Sequence, residues 1–317
     1  MNEEVFIENG LYYTSIGLHC TIGGFYLDPL KPVQHAVVSH AHADHATKGH
    51  ANIYTTEATA LFMKARYGPC SESVFHIIDY RQNFTINGIE ICFYSAGHML
   101  GSAQILLNMD SRRILYTGDI KLQPDVTCTP YQIVECDTLI TESTFGSPDV
   151  LHPDVVEEIS RISNYTSTNI VLGTYVLGKA QRLMSLIEKH IENKVVLCHT
   201  DVVKFNKVYE KFDIKFNNWI PYSRRYFKQN SNCIYLVPPK VYRYYYNKIK
   251  TVRAFASGWD KLQVDADFKI FISDHVDWND LIYVINNSNA KKIVTLHGNG
   301  NQLKTYFDST DLEFLIL

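Results

Sequence analysis

The stretch VVSHAHADHATKGH, residues 37–50, constrains the chain more than any other, because it sets His40, His42, Asp44 and His45 within six positions behind an apolar run. Alternate side chains of an extended segment share a face, so His40 and His42 leave the end of the strand AVVS together. Asp44 and His45 come just past the turn, where a helix can open, and face a neighbouring point. Two donor pairs on adjacent points suit two ions about 3.5–4 Å apart. Imidazole and carboxylate serve zinc, and manganese or iron as well. A surface histidine cluster is the plainer reading, and the rest of the sequence has to separate the two.

Further polar residues punctuate strand ends. His98 follows ICFYSAG, Asp119 closes RRILYTGD, Glu142 closes DTLITE, His275 follows FKIFISD and His297 follows KKIVTL. Each sits where an apolar strand gives way to a glycine or a polar turn, and functional residues gather at such points because the sheet fixes the roots of the loops. A single histidine at a strand end is more often a satisfied structural residue. His19, His35, His50, His76, His152, His190 and His199 lack this context and are read as structural or exposed. The ordered recurrence of the others favours a metal site.

The organisation is α/β. Short strands broken by turns fill the first half, with a helix over 55–68 that ends at Gly68 and a hairpin at INGI, 86–89. From 146 to 254 strands and helices alternate, and after 255 the chain offers strand (268–273), helix (278–287) and strand (292–296). This pattern predicts a first domain split between 1–145 and 255–317, with a second module, 146–254, inserted into it.

The net charge is −3, so a polyanionic partner has to meet a local basic patch. YSRRYFKQN (222–230), with Arg224 and Arg225, and KVYRYYYNKIKTVR (240–253) interleave cations with tyrosines, as single-stranded nucleic acid requires, although tyrosine-rich helices also form ordinary core. GTYVLGKA, 173–180, matches G-x-x-x-x-G-K but carries Ala180 where a P-loop needs a hydroxyl for Mg²⁺. Lys179 and Arg182 are therefore read as phosphate contacts of a substrate groove, against the alternative of an ordinary helix start. Seven scattered cysteines without C-x-x-C spacing, an acidic start and no apolar run of membrane-spanning length predict a soluble, cytoplasmic protein.

H-x-H-x-D-H, followed by Gly97-His98 and Gly118-Asp119, resembles the metallo-β-lactamase superfamily, and Asp28 in FYLDP resembles its strand-terminal aspartate, which steadies the ligands from behind. LITESTFG with Glu142, SDHVDW with His275 and TLHG with His297 resemble the extra motifs of the β-CASP nuclease branch. GLHCTIGGFYLDPLKPVQHAVVSHAHADH, AGHMLGSAQI, GDIKLQPDVT and LGKAQRL resemble bacterial ligase-associated DNA exonucleases, relatives of the Artemis-type repair nucleases. The resemblance implies an αββα sandwich with an inserted α/β β-CASP cap. It implies two divalent ions, zinc or manganese: His40, His42 and His98 on the first, Asp44, His45 and His297 on the second, Asp119 bridging. Asp44, Glu142 and His275 are its catalytic residues, with His275 as general acid beside Glu142. The implied activity is hydrolysis of a DNA backbone by a metal-activated hydroxide, as an exonuclease of DNA repair linked to an ATP-dependent ligase. His297 stands where RNA-processing members carry histidine and Artemis-type DNA nucleases usually carry valine, so RNA cleavage is the alternative. A small-ester hydrolase of the thioesterase or lactamase kind is a further one, and it would need neither Glu142, His275 nor the inserted module.

Overall fold

Along the strand Ala103–Met109, Ile105, Leu107 and Met109 turn one way and Leu106 the other, and these belong to two separate cores. That alternation builds the layers. The computed structural model describes residues 4–244 and 251–317, which form two compact units, 1–151 with 275–317 and 152–274.

The first unit holds two seven-stranded sheets. One runs in the order Val5–Glu8, Leu11–Thr14, Gly17–Cys20, Phe25–Leu27, His35–Val37, Asn52–Thr55, Val74–Ile77. It is antiparallel through its first four strands and parallel thereafter. The other runs Glu313–Ile316, Lys292–Leu296, Thr138–Glu142, Arg112–Tyr116, Ala103–Met109, Ile89–Ser95, Asn83–Ile86. Leu18, Phe25, Leu27 and Val37 of the first sheet meet Ile91, Phe93, Ile105, Leu107, Ile114 and Ile140 of the second in one buried core. On the far side of the second sheet, Leu106, Leu115 and Leu139 pack against Leu281, Val284 and Ile285 of the helix Trp278–Asn287 and Leu303 of the helix Asn301–Tyr306. On the far side of the first, Ala36 and Ile53 pack against Met63 of the helix Glu57–Tyr67. The order is helix, sheet, sheet, helix.

Local chemistry agrees with these elements. Thr56 caps the helix Glu57–Tyr67 by accepting from the Thr59 N–H, and Gly68 ends it at φ +90°. Asn87 and Gly88, at φ +46° and +89°, make the predicted hairpin turn between Ile86 and Ile89.

The inserted unit is a six-stranded parallel sheet in the order Trp219–Pro221, Val195–Cys198, Cys233–Val237, Asn169–Gly173, Thr251–Ala256, Phe268–Ile270. The expected limits of 146 and 254 shift accordingly. Thr251–Ala256 pairs with Asn169–Gly173, and Phe268–Ile270 pairs with Thr251–Ala256. Residues 255–274 thus extend the inserted sheet instead of returning to the first unit, while residues 146–151 stay with the first. Among the described residues no helix is long and apolar enough to cross a membrane.

Candidate metal centre

Past the strand His35–Val37, the Val38 N–H donates to Tyr54 O and prolongs the extended backbone toward Ser39 and His40. Ala46 N–H then donates to His42 O at 2.8 Å, so the chain tightens into a single turn instead of the expected helix, and His45 swings back beside His40. The second sheet delivers the remaining groups from its strand ends: His98 beyond Ile89–Ser95, Asp119 beyond Arg112–Tyr116 and Glu142 at the end of Thr138–Glu142. Gly118, at φ +56°, lets Asp119 turn in. A Cβ there would stand 2.8 Å from Ser39 Oγ, so only glycine fits so close an approach of the two sheets.

Asp119 is the centre of the cluster. Its Oδ2 lies 3.5 Å from His40 Nε2, 3.7 Å from His98 Nε2 and 3.9 Å from His275 Nδ1, while its Oδ1 lies 3.5 Å from His45 Nε2. The two oxygens thus face different histidines. His42 Nδ1 and His98 Nε2 approach to 3.1 Å. Donor atoms of His40, His42, His98 and Asp119 all fall within 4.8 Å of one another.

Those of Asp28, His40 and His45 do so too, but Asp28 is already engaged. Its Oδ1 accepts the Ser39 N–H at 2.7 Å, and its Oδ2 accepts from Ser39 Oγ, His45 Nδ1 at 2.7 Å and Tyr116 Oη at 2.9 Å. Asp28 therefore orients His45, whose other nitrogen is left to face Asp119. Glu142 accepts the Ile120 N–H on Oε1 and pairs with His275 Nδ1 at 2.8 Å on Oε2. Asp44 and His297 stand at the rim. Asp44 Oδ2 lies 3.9 Å from His45 Nε2 and the His297 ring 5.5 Å from that of His45, both side chains exposed. A cavity of about 50 Å³ lined by Asp28, Asp44, His45, Tyr116 and His297 lies between them.

Burial drives the His40 imidazole well below its ordinary pKa, helped by the neighbouring His45, so His40 stays neutral and keeps a lone pair. Burial also works against charge on His45, but Asp119 and the hydrogen bond to Asp28 outweigh it and push the group up to about 10. Burial opposes ionisation of Asp119, and His45 and His275 overcome it, holding the carboxyl well below its usual range. A cation would replace these protons as the partner of the carboxylate. The donor set fits one: His40 Nε2 is buried without a hydrogen bond while His40 Nδ1 is held 3.0 Å from Ser39 Oγ, an arrangement a metal ion would complete.

The chain is 31% identical over 301 residues to a protein named probable DNA ligase from Opitutus terrae, a match covering 90% of this chain and 29% of that one. It is 31% identical over 224 residues to an RNase J-like protein of Methanocaldococcus jannaschii, covering 60% of this chain and 52% of that one. It is 35% identical over 123 residues to the endoribonuclease ysh1 of Emericella nidulans, covering 36% of this chain and 14% of that one. These homologues are consistent with the β-CASP branch of the metallo-β-lactamase superfamily. The chain spans between about one seventh and one half of the length of those relatives. No family model matches it. Its fold is shared with a protein of unknown function from Enterococcus faecalis, with a TM-score of 0.61 at 14% identity over 89% of this chain and 79% of that one.

The residues of the inserted unit expected to line a substrate groove fare differently. Arg182 is 2% exposed and its Nη1 donates to Ser273 O and, at 3.2 Å, to Asp274 Oδ1. It is an internal ion pair, not the expected phosphate contact. Lys179 is also buried, its Nζ 5.3 Å from the centre of the Tyr175 ring, so it too departs from a solvent-facing groove cation. Arg224 and Arg225 open the exposed side of the helix Arg224–Gln229. Of the second basic stretch, 240–253, residues 245–250 lie outside the described residues. Sequence reasoning missed Ser39, Tyr116 and Lys121. Tyr116 carried a signal, since a tyrosine facing inward from RRILYTGD needs a buried partner for its hydroxyl.

Proposed function

We propose that the chain is a metal-dependent phosphodiesterase that cleaves DNA, as an exonuclease of DNA repair. The observation that carries this reading is Asp119, which presents one oxygen to His40 and His98 and the other to His45, with the Glu142–His275 pair alongside. His40, His42, His98 and Asp119 would hold one divalent ion, zinc or manganese, and Asp119, His45, Asp44 and His297 a second. Bound there, such ions lower the pKa of a water to about 7 and offset negative charge on phosphoryl oxygens.

The protein's own groups supply the rest. Glu142, fixed by the Ile120 N–H, accepts from His275 Nδ1 and leaves Nε2 to carry the transferable proton. His275 is half-buried, its side chain 26% exposed, so it can reach a substrate and protonate the departing sugar oxygen. Asp28, through His45, keeps the second set of donors aimed at Asp119. Arg224 and Arg225 are proposed to pair with backbone phosphates. The seven cysteines, read as reduced thiols, support a reducing, cytoplasmic setting.

DNA is favoured because nearly the whole chain aligns within a polypeptide named for DNA ligation, which also supports action beside a ligase. The names RNase J-like protein and endoribonuclease ysh1, together with His297, support RNA as the second reading. Purified protein loaded with zinc or manganese should shorten end-labelled DNA stepwise. RNA cut in preference to DNA would transfer the activity to the second reading, and inertness toward both would overturn the nuclease assignment.

A further inference from the structure

Lys121 follows Asp119 by two residues and is 2% exposed. A buried ammonium is costly unless its charge is met. Its Nζ donates to the backbone carbonyl of His98 at 3.0 Å and to Asp125 Oδ2 at 2.5 Å. Asp125 is steadied in turn by the Thr127 N–H at 2.9 Å and the Thr127 hydroxyl at 2.7 Å, both on Oδ1. Around this pair the loops bearing His98 and Asp119 are cross-bonded. The Lys121 N–H donates to Ala96 O at 3.1 Å, Cys128 Sγ to Gly97 O at 3.2 Å and Ser95 Oγ to Thr129 O at 2.8 Å. Gly97 sits at φ +69°, and a Cβ there would stand 2.2 Å from Lys121 O, so the two loops meet backbone to backbone.

We propose that Lys121, with Asp125 as its counter-ion, is a positioning residue that sets where His98 stands relative to Asp119 and so tunes metal affinity. The inference rests on the metal reading above. For stability alone an apolar pair of similar volume would serve as well as a buried ion pair, or better. What an apolar pair cannot do is hold the His98 carbonyl by a directed, charge-assisted bond from the very loop that carries Asp119. Groups behind metal ligands typically change affinity about 10–100-fold when removed. Lys194 offers an internal control. It is equally buried and its Nζ likewise donates to backbone carbonyls, of Tyr165 and Thr168, but in the inserted unit.

The test is zinc affinity by chelator competition, and the visible spectrum of the cobalt-substituted protein, for the full chain and for K121M, K121M/D125N and K194M. The double variant removes both charges, so it leaves no unpaired buried carboxylate if K121M alone fails to fold. The Lys121 variants should bind zinc about 10–100-fold more weakly and shift the cobalt spectrum. K194M should lower the melting temperature and move neither. A folded K121M/D125N with unaltered affinity and spectrum overturns the proposal, as does an equal loss of affinity in K194M. Wild-type protein that takes up no metal would instead break the metal reading itself, and this inference with it.

Discussion

Asp119 and Arg182 are both charged and buried, each placed just beyond an apolar strand or glycine turn, yet their surroundings differ in kind. The Arg182 guanidinium is met by Asp274 and the Ser273 carbonyl, groups of its own unit. Asp119 is ringed by four histidines whose nearest nitrogens stand 3.5–3.9 Å away, too far for strong hydrogen bonds and suitably placed for ions between them. A charge that a fold has paired internally serves the fold. One surrounded by imidazoles, whose protons a cation can replace, is poised for a ligand.

The largest effect should come from breaking the first of these. Asp119→Asn removes the charge that faces both histidine groups, and we expect nuclease turnover to fall by about 10³-fold or more, with loss of bound metal measured on the same sample. His275→Ala should cost about 10²–10⁴ in turnover while metal content stays intact. Loss of metal in that variant would assign His275 to coordination instead of proton transfer. On the other side of the comparison, Arg182→Met removes the guanidinium that meets the buried Asp274 carboxylate, and denaturant titration should show a loss of roughly 3–5 kcal/mol. Nucleic-acid affinity of the folded fraction should not change, and a drop would restore Arg182 to the substrate groove.

The smallest effect concerns Asp280, in the first turn of the helix Trp278–Asn287. Burial, reinforced by Asp277, raises its carboxyl to about 6. A raised carboxyl favours the protonated form in the folded state, so it penalises folding above pH 6 and the penalty fades as pH falls through that value. Asp280→Asn, its effect reduced by solvent screening at this half-buried position, should therefore stabilise the protein by on the order of 1 kcal/mol at neutral pH, with the gain gone once the pH is well below the ordinary carboxyl value of 3.8. A gain that persists at low pH would show that charge is not the cause.

Much of the first unit was legible because its signals are local. The short continuous apolar runs in AQILLNM and RRILY report strands buried on both faces, and Asn87-Gly88 reports its own turn. His40, His42, His98 and Asp119 were legible for the same reason, each marked by the strand it terminates. The direction of Lys179 and Arg182 was not, because a helix start says nothing of which neighbour covers it. Arg182 is decided by Asp274, ninety-two positions away. The limit of the inserted unit was misplaced on similar grounds: Phe268–Ile270 reads as a strand from its sequence, but its partner is set by pairing at long range. Lys121 gave no sign at all, since a lysine in GDIKLQPD is ordinarily read as solvated.

The central claim is that Asp119 and its histidines cage metal. Elemental analysis of protein purified without affinity metals, then reconstituted and freed of excess ion, tests it most directly. Two zinc or manganese ions per chain, reduced in Asp119→Asn, is the predicted result. Metal-free wild-type protein after that treatment would contradict it.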